Sequence, residues 1–246
     1  MKNLLLLSAL FVLGSLSALA QSTNFTIAQH GHQVGTANFR FSPAPDGRFS
    51  TSQVKISMQG LEYTLSKSEQ LSPASHLRHA QISATVNGSA VNLTAATDSA
   101  QYLLNISDNG RAATTRLEFH PAAVLLPDFD PGALQILLDL SNSPSDSRSG
   151  LWAILPKQTT AEDGSIQPAS ILPIQVATYR DEQGTLDGKP ITVHHLIATI
   201  AGAQSELFSG PDNQLLQAEL PQQGFALVHD GFVLTPPTRP IAPPTN

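Results

Sequence analysis

Six Asn-Gly or Asp-Gly dipeptides, beginning at Asp46, Asn87, Asn109, Asp163, Asp187 and Asp230, divide the chain into short segments. Both positions of such a pair tolerate positive φ, which a two-residue hairpin turn requires. Between them apolar and polar residues alternate. Ala37, Phe39 and Phe41 oppose Asn38, Arg40 and Ser42, and Val54, Ile56 and Met58 oppose Lys55, Ser57 and Gln59. The clearest hairpin has Ile82, Ala84 and Val86 leading into Asn87-Gly88, with Val91, Leu93 and Ala95 leading out. A period of two with regular turns predicts an antiparallel meander with one buried and one wet face.

One stretch departs from this period. Asp130 is suited to cap a helix with its carboxylate, and Pro131 fits the first helical position, where no backbone bond is lost. Ala133, Leu134, Ile136, Leu137, Leu138 and Leu140 then cover most of the circumference, leaving Gln135 and Asp139 polar. A short helix apolar nearly all round is a buried one. The sequence therefore predicts a mainly β fold with one short buried helix over 130–140.

Residues 141–150 carry no apolar side chain before Leu151 and read as a connection. Strands follow at Leu151–Leu155, around Ile171–Tyr179, at Ile191–Ile200 with apolar residues on both faces, and around Leu207, Leu215, Phe225 and Phe232. One β-rich domain over 21–235 is the expectation, because the helix needs a sheet to cover. The alternative is two halves, 21–126 and 150–235, joined by the helix and the serine-rich connection. The prolines crowded into 236–246 predict a disordered tail.

Lys2 and the apolar run Leu4–Leu13, followed by Ala18-Leu19-Ala20, form a signal-peptide pattern over 1–20, with cleavage between Ala20 and Gln21. The expected location is the bacterial periplasm or the exterior. With no cysteine in the chain, disulfides, thiolate metal sites and a cysteine nucleophile are excluded. Thirteen basic residues against 19 acidic ones, with no basic stripe, argue against nucleic acid as a partner. No cofactor is indicated.

Histidines and carboxylates supply the candidates for chemistry. His30 and His32 would face one side of an extended segment and are the first candidates for a metal. His76 and His79 would do so in a helical turn, whereas the adjacent His194 and His195 of a strand would point to opposite faces. Glu118 and His120 share a strand face and could act as an acid–base pair, with a solvated sheet face as the plainer reading. Asp128 and Asp130 invite a glycosidase reading, but capping and the helix dipole account for both. No nucleophile elbow, P-loop or calcium loop occurs.

The order of elements carries one resemblance. A meander leads to Leu126-Pro-Asp-Phe-Asp-Pro131 and a helix, resumes at Gly150-Leu-Trp152, and closes with Glu206-Leu-Phe208, Asp212-Asn-Gln-Leu-Leu216, Leu220-Pro-Gln-Gln-Gly224 and Phe232. This resembles exported bacterial β proteins similar in fold to lipoprotein carriers and receptors. The resemblance implies a curved antiparallel sheet forming a half-barrel closed by helix, and a non-catalytic role in binding an apolar ligand or an envelope protein. Those carriers have more than one lid helix, whereas one is found here, and no functional residue carries over. A motif-free exported hydrolase and a structural or adhesive envelope protein are the alternative readings.

Overall fold

The computed structural model describes residues 22–143, 150–157, 159–160 and 166–236. The signal-peptide pattern over 1–20 with the cleavage expected between Ala20 and Gln21, most of the serine-rich connection and the residues beyond Pro236 lie outside the described residues.

An antiparallel meander opens the fold: β1 (Thr23–Gln29), β2 (His32–Ala44), β3 (Gly47–Met58), β4 (Leu61–Leu71), β5 (Leu77–Val86), β6 (Ser89–Asp98), β7 (Gln101–Asp108) and β8 (Arg111–Glu118). Asn87 and Gly88 take φ values of 49° and 82°, the positive pair that a tight hairpin demands. β9 (Ala123–Leu125) and α1 (Pro131–Ser141) follow, then β10 (Leu151–Leu155) and the small ladder of β11 (Thr159–Thr160) and β12 (Ile166–Gln167). The chain ends with β13 (Ser170–Thr178), β14 (Glu182–Leu186), β15 (Lys189–Ile200), β16 (Ala203–Ser209), β17 (Leu215–Leu220), β18 (Phe225–His229) and β19 (Phe232–Leu234).

Two long-range pairings make these strands one sheet. β18 pairs antiparallel with β1, Phe25 opposite His229, and so joins the second meander to the first. β9 pairs with β10 in parallel, an addition to the antiparallel pattern that follows from the crossover through α1. The result is a 17-stranded, open, curved sheet, mainly β with one short helix, as the alternation predicts.

α1 lies against the inner face, touching β2, β3, β9, β10 and β17. Every residue from Pro131 to Leu138 is buried, as is Leu140. The two polar positions are both engaged. Gln135 donates to the Asn213 carbonyl at 2.9 Å and accepts from the Leu215 N–H at 2.7 Å. Asp139 pairs with Arg48, whose guanidinium also lies 4.1 Å from the Phe41 ring. At the other terminus Gly132 meets β3 so closely that a Cβ there would sit 2.4 Å from Ser52 Oγ. β15 explains its own apolar character on both faces. Leu196 and Ala198 join the main core, while Val193 packs with Phe208, Leu216 and Phe232 in a second, smaller cluster.

Candidate functional site

α1 does not fill the inner face. Its last turn meets Arg48 and Asn213, near the β2–β3 and β16–β17 turns. At the opposite end of the sheet, near the β5–β6 and β15–β16 turns, a cavity of about 310 Å³ stays open. Leu65, Ile82, Leu93 and Ile106 form its floor on consecutive inner-face strands, and Leu126 with Leu155 closes it from above. The four floor residues are inner-face strand positions that α1 does not cover, so their apolar surface is left to line a void. Tyr63, Asp128 and Lys157 are the polar groups at its wall. The Tyr63 hydroxyl donates to the Asp128 carbonyl at 3.2 Å. Burial, then the charges of Asp128 and Asp130, push its phenol far above the usual range, so it stays a neutral donor. A mostly apolar concavity with a few fixed polar groups is what binding of a small apolar molecule needs.

Beneath the first turn of α1 lies a cluster that the sequence reading missed. Lys67 Nζ is 2.7 Å from Glu69 Oε1 and 2.6 Å from Asp130 Oδ2, and all three side chains are at most 1% exposed. Asp130 Oδ1 meanwhile accepts from the Gly132 N–H at 2.9 Å, so the capping carboxylate serves the helix with one oxygen and Lys67 with the other. Ser52 and Ser50 stand opposite Lys67 and Glu69 in the β3–β4 register, both buried. Burial opposes the Lys67 charge, but Asp130 and Glu69 outweigh it and hold the ammonium above its ordinary value. Burial likewise pushes the Glu69 carboxyl up, against the pull of Lys67. The signal was strand parity, since Tyr63, Leu65, Lys67, Glu69 and Leu71 all fall on one face.

The candidates drawn from sequence are scattered. His30 has φ 49° in the β1–β2 turn and is not extended, so it does not share a strand face with His32; both are exposed. His79 lies in β5 and His76 in the loop before it, with no helical turn to align them. Among the described residues no group of three His, Asp or Glu side chains is placed to hold a metal ion. Glu118 is well exposed and its carboxylate is 4.0 Å from His120, whose ring stacks on Trp152 with centroids 3.7 Å apart. Asp128 is exposed while Asp130 is buried, so the two do not form a pair.

His194 and His195 take opposite faces. His194 is exposed beside Asp181, whereas His195 is buried with Nδ1 3.1 Å from Glu182 and Nε2 3.1 Å from Glu206. Its ring stacks on Phe208 at 4.3 Å, which ties β14, β15 and β16 together. None of these residues lines the cavity. Compared with known proteins, the chain matches no family model, no curated protein and no solved structure.

Proposed function

We propose that this protein is an exported, non-catalytic binding protein that holds an apolar ligand, such as an acyl chain, in the cavity beside α1. The observation that carries the reading is the apolar cavity left between the floor of β4–β7 and the Leu126 and Leu155 segments. Each methylene moved from water into such a site contributes about 0.8 kcal/mol. A chain of several methylenes is therefore held without any titratable group, which fits the scatter of the histidines and carboxylates. The signal-peptide pattern of residues 1–20 supports export, and among the described residues no helix is long and apolar enough to cross a membrane.

A hydrolase would draw on His195, but both of its ring nitrogens already face carboxylates and it lies away from the cavity. The binding reading is tested by titrating the protein with a fluorescent fatty acid. Saturable binding at one equivalent is expected, weakened about tenfold or more by Ala84→Trp, a loss of about 1.4 kcal/mol or more. Ser83→Trp, on the exposed face of the same strand, leaves binding unchanged. Equal binding by both variants contradicts the assignment.

A further inference from the structure

We propose that Lys67 and Asp130 become joined by an intramolecular isopeptide bond, formed inside the folded protein with Glu69 as the proton relay. Amide formation between a lysine and an aspartate needs four things in one place: a nucleophile against the carboxyl carbon, a donor for the developing oxyanion, an acid–base group, and no water. The cluster under α1 supplies each. Lys67 Nζ is 2.6 Å from Asp130 Oδ2, and the fold has already met the entropic cost of bringing β4 and the helix cap together. The Gly132 N–H, 2.9 Å from Oδ1 at the helix N-terminus, is aimed where negative charge gathers in a tetrahedral intermediate. Glu69 Oε1 is 2.7 Å from the same Nζ. All three side chains are sealed from solvent, which withholds the water that would reverse the reaction.

The step balances as a condensation. The Lys67 ammonium first gives a proton to Asp130 Oδ2, turning two buried charges into a neutral amine and a neutral acid. Nζ then attacks Cγ of Asp130. Glu69 takes a proton from the attacking nitrogen and returns one to the departing Oδ2, ending as it began. The Nζ–Cγ bond forms, the Cγ–Oδ2 bond breaks, and one water leaves. Oδ1 stays as the amide oxygen, so the acceptor for the Gly132 N–H, and with it the helix cap, survives the reaction.

Glu69 is the less suitable electrophile. Among the described residues its carboxylate meets Lys67 and Ser50 but no backbone donor comparable to the Gly132 N–H, and it lies two residues from Lys67 on the same strand, where a bond would fasten nothing new. The Lys67–Asp130 bond, by contrast, ties α1 to the middle of the sheet. In a chain without cysteine it would be a covalent staple that needs no oxidant.

The test is the mass of the purified protein and of its tryptic peptides under denaturing conditions. The expected intact mass is lower by one water than that calculated from the N-terminus the purified chain carries, which is Gln21 once the signal peptide is removed. The expected digest contains Ile56–Arg78, uncut after Lys67, covalently joined to Leu117–Arg148. Lys67→Met and Glu69→Gln are each expected to show the full mass. An unaltered wild-type mass overturns the proposal, and that measurement does not depend on any variant folding. A missing water with normal cleavage after Lys67 also overturns it, since that result marks succinimide formation at an Asp-Gly site. A missing water that persists in Lys67→Met does the same, and a bond that forms fully in Glu69→Gln removes Glu69 from the mechanism as written.

Discussion

Tyr63 and Phe129 pack edge to face, with ring centroids 5.8 Å apart and planes at 67°, where the cavity wall becomes the helix cap. Phe129 reaches this position with φ at 60°, a left-handed conformation that costs a residue bearing a Cβ about 1–2 kcal/mol. Its ring also contacts Phe225 at 4.8 Å, and these contacts offset the strain. The turn is forced because the chain must pass from the wall at Asp128 to the buried cap at Asp130 in two steps.

This strain predicts an inverted order of substitutions. Phe129→Ala and Phe129→Gly both lose the aromatic contacts, but only glycine relieves the backbone. Denaturant unfolding should find Phe129→Gly more stable than Phe129→Ala by about 1 kcal/mol, the reverse of the usual ranking of these residues.

Close approach at the helix start gives a second prediction. Gly132→Ala places a Cβ against Ser52 Oγ and should destabilise the fold by about 1–3 kcal/mol. Adding Ser52→Ala removes the obstructing oxygen and should restore part of that loss in the same unfolding assay.

Burial of Glu69 predicts a titration displaced upward from the ordinary glutamate value of about 4.3. A folded-state value above the unfolded one means that the native state binds the proton more tightly. The contribution to stability is therefore complete at pH below the unfolded value and is lost as pH rises through the folded one. Difference infrared spectroscopy should show a protonated carboxyl stretch that persists above the pH at which exposed glutamates ionise and that is absent from Glu69→Gln.

Glu182 and Glu206 predict unequal effects around His195. Glu182 is nearly buried, so Glu182→Ala strands a buried ring nitrogen and should cost about 1–3 kcal/mol. Glu206 is a third exposed, and Glu206→Ala should cost less. Hydrogen exchange in β14 and β19 should quicken in the first variant and change little in the second.

Local features of this fold are legible in the sequence, and features that join distant segments are not. The Asn87-Gly88 hairpin, the Asp130 cap and the buried face of α1 each follow from a few neighbouring residues. The ionic cluster is legible only in part, because Lys67 and Glu69 share the parity of Leu65 and Leu71 but nothing nearby in the chain marks Asp130 as their partner. Charges in an alternating strand are ordinarily read as outward, and what turns these two inward is Asp130, whose approach depends on tertiary packing. The β1–β18 closure and the parallel β9–β10 pair unite strands far apart in the chain, so no local pattern marks them. The cavity is harder still to foresee, since it is defined by the length of sheet that α1 leaves uncovered.

Whether the cavity holds an apolar ligand is decided by native mass spectrometry of the protein purified from the cells that make it. A co-purifying apolar molecule is expected at one equivalent, retained in Ser83→Trp and lost in Ala84→Trp. Wild-type protein that is free of ligand and takes up no fatty acid would contradict the binding reading.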